Sequence, residues 1–203
     1  MSKTVVYVHG KGGNAEEAER YKKVFGGHNV IGFDYKSENP WTAREEFLEF
    51  FNNIVKKQGK VIVAANSIGA YFCMNSIGKE QVERAFFISP VVDMERLICD
   101  MMSWAGVTER ELCERRQIKT DFGETLSWEY LCYVRDNPVR WEVPTCILYG
   151  EKDNLTSMQT IEKFACCCGA TLTVMPGGEH WFHTEEQLRL LDDWIKKSYG
   201  ADL

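Results

Sequence analysis

The run Ala64-Ala65-Asn66-Ser67-Ile68-Gly69-Ala70 sets a hydroxyl where chemistry is possible. An apolar strand ends, a serine stands on a two-residue turn, and a helix begins. Ala65 lies two residues before the serine and Gly69 two after it. A nucleophile on so sharp a strand-to-helix turn is held in strained backbone, and only small neighbours let strand and helix approach that closely. The turn raises the serine oxygen above the strand ends. It also puts the N–H of Ile68 at a helix start, where a developing oxyanion is stabilised. The chemistry would be nucleophilic attack on a carbonyl. Taken alone, the pattern fits a helix-capping serine equally well.

At these residues the chain resembles the α/β-hydrolase superfamily, whose signature at this turn is G-x-S-x-G; here it reads A-N-S-I-G, with Ala65 in place of the first glycine. Three further stretches extend the resemblance. His9-Gly10 closes the first strand as an HG motif does in many members, which implies the Lys11 backbone N–H as a second oxyanion donor beside Ile68. His9 itself reads as a brace for that loop rather than a proton carrier. Tyr149-Gly150-Glu151-Lys152-Asp153 matches the superfamily's strand-G-x-x-D acid turn. Asp153 is the acid this implies, with Asp93 and Glu151 as competitors. Gly177-Gly178-Glu179-His180-Trp181-Phe182 stands where the superfamily carries its histidine, with an aromatic two residues on. His180 fits that place, and His183 reads better as a surface histidine near a helix start. His28 has nothing around it to suggest a role.

The order Ser67, Asp153, His180 is the superfamily's order of nucleophile, acid and base. The resemblance therefore implies a serine hydrolase that cleaves carboxylic esters through an acyl-enzyme, with His180 as base and Asp153 holding its tautomer. Two other readings stay open: a non-catalytic binding protein on the same scaffold, and transfer of the acyl group to an acceptor other than water, or thioester cleavage, by the same serine. A substrate pocket is expected from His9, Trp104, Trp128, Trp181 and Phe182, though core packing accounts for such aromatics as well. No cofactor is implied. His9-Gly10-Lys11-Gly12-Gly13 lacks both the G-x4-G-K-[ST] and the G-x-G-x-x-G spacing.

The elements that must position these residues alternate. β-Branched runs at residues 4–8, 29–35, 60–65, 85–89, 144–149 and 171–175 are separated by amphipathic stretches, the pattern of a parallel sheet covered by helices. The third run is apolar on both faces and so central. Asn14 with Glu17, Thr42 with Glu45, and Thr184 with Gln187 each read as a capping box. Phe47, Phe50, Phe51, Ile54 and Val55 form one helical stripe, and Leu188, Leu191, Trp194 and Ile195 another. The predicted fold is a three-layer α/β/α sandwich with six parallel strands in the order 2-1-3-4-5-6, a hydrolase core short of the usual eight. Residues 93–141 are too long for a simple connection. Helices are predicted at 94–104 and 127–135, with a hairpin or loop at 117–126. The chain reads as one domain over residues 1–203 with this stretch as a small helical cap, placed where the superfamily commonly inserts one.

Composition narrows the remaining classes. The chain has 203 residues, 44% hydrophobic and 27% charged, the profile of a soluble globular domain. No apolar run approaches the roughly 20 residues of a membrane span. The net charge of −6, with no dense basic patch, argues against a nucleic-acid partner. The expected partner is a small-molecule ester, and the oligomeric state is not readable. No basic region followed by a longer apolar region opens the chain, so a cytoplasmic protein with reduced thiols is expected. Its eight cysteines fall well below disulfide-scaffold density. Cys166-Cys167-Cys168 lacks the paired spacing of a zinc site and reads as small core side chains with one or two exposed thiols.

Overall fold

The computed structural model describes residues 2–200. Their architecture follows from the alternation of buried runs and amphipathic helices. The strands β1 (Thr4–Val8), β2 (Asn29–Phe33), β3 (Val61–Asn66), β4 (Val82–Ile88), β7 (Thr145–Gly150) and β8 (Thr171–Met175) form one sheet in the order β2-β1-β3-β4-β7-β8. Every pairing in it is parallel. This is the predicted order. β1 and β7 are buried along their whole length and β3 up to Asn66, as strands covered on both faces must be.

Helices α1 (Ala18–Lys22) and α8 (Glu185–Gly200) cover one face, where Tyr21, Leu191, Trp194 and Ile195 pack with Val5, Tyr7, Ile62 and Phe86. Helices α2 (Pro40–Gln58) and α3 (Ser67–Ser76) bring Phe47, Phe51 and Phe72 against Phe33 and Tyr35. Burying each such aromatic stabilises by about 1.5–3 kcal/mol. Helix α7 (Met158–Cys168) caps on Ser157 and ends at Gly169 in a left-handed conformation.

Two sequence expectations shift. Thr42 does not start a helix: α2 begins at Pro40, with Asn39 as the cap accepting from the Thr42 N–H at 3.0 Å. Proline favours the first helical position because its missing N–H is not needed there, and this moves the start forward. In α7 the core face belongs to Ile161 and Ala165; Cys166 and Cys167 are the two exposed thiols expected, but Cys168 is half-buried rather than a core side chain. The Asn14–Glu17 box is present, opening a short 3-10 turn ahead of α1. Thr184 and Gln187 exchange the two bonds of their box at 3.2 and 3.3 Å.

The chain divides into two compact units, one from Met1–Val92 with Arg140–Leu203 and one from Asp93–Val139. The second contains α4 (Met94–Trp104), α5 (Glu109–Arg115), a hairpin of β5 (Gln117–Lys119) and β6 (Thr125–Ser127), and α6 (Trp128–Asp136). Helix α5, which the sequence reading passes over, starts from a capping box between Thr108 and Glu111. Arg135 joins α6 to α4 and α5 through ion pairs with Glu95 and Glu109, both at 2.7 Å. Among the described residues no helix is long and apolar enough to cross a membrane.

Candidate active site

All six strands of the large sheet run the same way, so the turns that leave their carboxyl ends gather along one edge. In open α/β sheets that edge is where ligands bind. The turns after β1, β3, β7 and β8 supply the residues that follow.

Ser67 opens α3 directly from β3, with its backbone at φ 49°, a left-handed conformation that costs a non-glycine residue about 1 kcal/mol or more. The crowding that imposes it is visible at Gly69, where a Cβ would lie 2.3 Å from the His9 carbonyl oxygen. Ala65 is fully buried. On the far side of the strand Asn66 donates from Nδ2 to the Tyr7 hydroxyl at 2.9 Å, and that hydroxyl donates in turn to the Glu17 carboxylate. Burial raises the Tyr7 pKa well above the ordinary phenol range, so the bridging hydroxyl keeps its proton.

His180 lies in the turn between β8 and α8. Its Nε2 is 2.8 Å from Ser67 Oγ, and its Nδ1 is 2.7 Å from Asp153 Oδ2. The Asp153 side chain is fully buried, while that of His180 is 16% exposed. Asp153 Oδ1 accepts from the N–H groups of Leu155 at 2.8 Å and Thr156 at 3.0 Å. One carboxylate oxygen is thus anchored to its own turn, and the other is left to face the imidazole. An N–H on Nδ1 toward the carboxylate leaves the Nε2 lone pair for the serine proton.

The acid turn and the histidine turn are joined edge to edge. Lys152 N–H donates to the Gly178 carbonyl at 2.7 Å, Glu151 N–H to the Met175 carbonyl at 3.1 Å, and Gly177 N–H to the Glu151 carboxylate at 2.7 Å. Gly150 permits this approach, because a Cβ there would lie 2.3 Å from the Glu179 carbonyl oxygen.

The competing acids are occupied elsewhere. Asp93 caps α4 by accepting from the Arg96 N–H at 2.9 Å, and Glu151 serves the Gly177 contact. His183 stacks on Trp181 with ring centroids 4.9 Å apart and does not join the Ser67–His180–Asp153 line. His9 is buried, its ring 4.2 Å from that of Tyr35 and its Nδ1 bonded to the Gly10 carbonyl at 2.8 Å. The Tyr35 hydroxyl donates to the His9 carbonyl at 2.9 Å. The loop carrying Lys11 closes with Gly13 N–H on the Gly10 carbonyl, and Gly10 is so near the turn after β3 that a Cβ there would be 3.3 Å from Ser67 Cβ. Ile68 is the second residue of α3, where the N–H lies outside the helix's own ladder.

Of the expected pocket aromatics, Trp181 is 73% exposed beside His180, whereas Phe182 is buried in the core against α8. Trp104 and Trp128 belong to the second unit; there Trp104 is exposed and meets Phe122 edge-on at 6.2 Å. Leu155 and Thr156, whose backbone N–H groups donate to the Asp153 carboxylate, are not marked by any motif. A signal for them exists only in the position, two and three residues after an aspartate, that suits an Asx-type turn.

No protein-family model matches the chain. A stretch of 74 residues is 32% identical to a Mycoplasma genitalium protein named "Putative esterase/lipase 3", and this match takes in 35% of the chain and 26% of that protein's length. Among solved structures, Est1E from Butyrivibrio proteoclasticus superposes with a TM-score of 0.74 at 16% identity, over 98% of this chain and 87% of that one. Mouse alpha/beta hydrolase domain-containing protein 10 gives a TM-score of 0.71 at 15% identity, over 98% and 90%. A soluble variant of monoglyceride lipase from Saccharomyces cerevisiae gives 0.62 at 12%, over 98% and 86%. The chain has the α/β-hydrolase fold.

Proposed function

We propose that this protein is a serine hydrolase acting on small carboxylic esters, with Ser67 as nucleophile, His180 as base and Asp153 as the acid. The observation that supports this most is the unbroken line from Ser67 Oγ through both imidazole nitrogens to a buried carboxylate, at 2.8 and 2.7 Å. His180 Nε2 takes the Ser67 proton as Oγ attacks the ester carbonyl. The backbone N–H groups of Ile68 and Lys11 receive the oxyanion. His180 then returns the proton to the departing alkoxide oxygen, which leaves as the alcohol, and the acyl group remains on Ser67. A water, deprotonated by the same nitrogen, attacks the acyl carbon. Collapse of the second tetrahedral intermediate releases the carboxylic acid and restores Ser67. Throughout, Asp153 holds Nδ1–H and stabilises the imidazolium. Trp181, exposed next to His180, offers an apolar face to the substrate.

The test is Ser67→Ala with short p-nitrophenyl esters. Turnover should fall by at least ~10⁴-fold while the far-UV spectrum and melting temperature are retained. A fluorophosphonate should label the native protein and not the variant. Undiminished turnover or labelling in Ser67→Ala would overturn the reading. Product analysis with added alcohols or thiols separates hydrolysis from acyl transfer.

A further inference from the structure

The three side chains of the site are links in a longer chain of bonds that returns to its origin, and Thr156 is the link that closes it. Thr156 is 5% exposed, and all three of its polar groups are engaged. Its N–H donates to Asp153 Oδ1 at 3.0 Å, its carbonyl accepts from the Tyr149 hydroxyl at 2.7 Å, and its own hydroxyl donates to the Pro90 carbonyl at 3.2 Å. Pro90 follows β4, and the next residue, Val91, donates its N–H to the Ser67 carbonyl at 3.2 Å. The circuit therefore runs from the Ser67 backbone through Val91 and Pro90 to Thr156, on to Asp153 and His180, and back to Ser67 Oγ.

Each neighbour of Thr156 is itself fixed. Ser89, just before Pro90, is buried with φ 41° and donates its N–H to Leu148 at 2.8 Å, so the segment after β4 is held in a conformation its sequence would not choose alone. Tyr149 is on β7, and burial, with a smaller contribution from the Asp153 charge, pushes its pKa up to about 12, so it remains a donor. The acid turn is joined to the histidine turn on one side by the Lys152–Gly178 bond. On the other side the Thr156 hydroxyl fixes it to the segment that holds the nucleophile's own backbone. A carboxylate supports its imidazole only when held in register with it, and misplacement by about 1 Å costs on the order of 10²-fold.

We propose that Thr156 is a positioning residue: its hydroxyl sets the distance between the acid turn and the nucleophile turn, and it acts on the reaction only through Asp153. This rests on the reading of Ser67, His180 and Asp153 given above.

The experiment compares steady-state esterase kinetics and fluorophosphonate labelling of Thr156→Val, Thr156→Ser and the same substitutions in an Asp153→Asn background. Thr156→Val keeps the shape and removes the hydroxyl. It should lower kcat ~10- to 30-fold with KM within about twofold, and slow labelling in parallel. Thr156→Ser should recover to within about threefold of the native protein. In Asp153→Asn, adding Thr156→Val should change kcat by less than about twofold, because the group it acts through is already disabled. Thr156→Ala carries the same expectations and guards against a valine variant that does not fold. Native kcat in Thr156→Val and Thr156→Ala, an equal defect in Thr156→Ser, or a full additional loss in the Asp153→Asn background would each overturn the proposal. Ser67→Ala run alongside keeps the two readings apart: turnover surviving there removes the nucleophile assignment, whatever Thr156 does.

Discussion

The turn after β3 and the turn after β7 each contribute one end of the same line of side chains, and they are held by different means. Ser67 is held by crowding. Its backbone is driven to φ 49° where β3 and α3 meet, and Gly69 lies against the His9 carbonyl with no room for a methyl group. Asp153 is held by hydrogen bonds, with Leu155 and Thr156 on one oxygen and the Gly178 and Met175 carbonyls anchoring the residues before it. Crowding is a property of the packed sheet and is inseparable from stability. A hydrogen-bonded turn can be altered one bond at a time. Substitutions on the acid side should therefore separate activity from stability, and those on the crowded side should lose both together.

Among the substitutions that probe this contrast, the largest effect should come from Asp153→Asn. The amide oxygen can still accept from Leu155 and Thr156, so the turn stays folded. Its NH₂ then faces His180 Nδ1 and favours the tautomer that leaves no lone pair for Ser67. A fall in kcat of about 10⁴-fold is expected, with little change in melting temperature. Equal losses of activity and stability would erase the proposed contrast. Gly69→Ala is the counterpart on the crowded side. A Cβ 2.3 Å from a carbonyl oxygen forces β1 and α3 apart, which should cost ~3 kcal/mol or more in a denaturant titration and take activity with it. Retention of native stability there would show that the turn relaxes cheaply and is not held by packing. The smallest effect belongs to Glu151→Gln at the exposed Gly177 contact. An amide oxygen still accepts from that N–H, so kcat should stay within about threefold of native. A larger loss would mean that the join between acid and histidine turns depends on charge.

Much of the frame is legible in the sequence because parallel strands buried on both faces leave long β-branched runs, and the six runs appear in the sheet in the predicted order. Ser67 and its small neighbours are legible for the same reason: steric demands act on adjacent positions. Asn39 is misread because an Asn-Pro pair outranks a threonine three residues later, and both are plausible caps until the backbone is seen. The role of the Thr156 hydroxyl carries no local signal. Its significance comes from Pro90, 66 positions away, and a threonine in a polar loop looks the same whether or not it meets a distant carbonyl. The cysteine run shows the limit of composition, since the register of α7, set by Ile161 and Ala165, decides which thiols face outward.

The wide separation of Ser67 from its partners bears on how the protein comes into being. Ser67 and His180 are 113 positions apart, and β8, which delivers the histidine turn, is the sheet's last strand in sequence and lies at its edge. The segment that forms β1 to β4 is synthesised before Asp153 and His180, because the chain emerges from its N-terminal end. The early core would carry a strained serine with no base beside it, and so no reactive nucleophile. Labelling of Ser67 during refolding is thus a clock for the docking of β8, and it should lag behind the burial of the aromatic core.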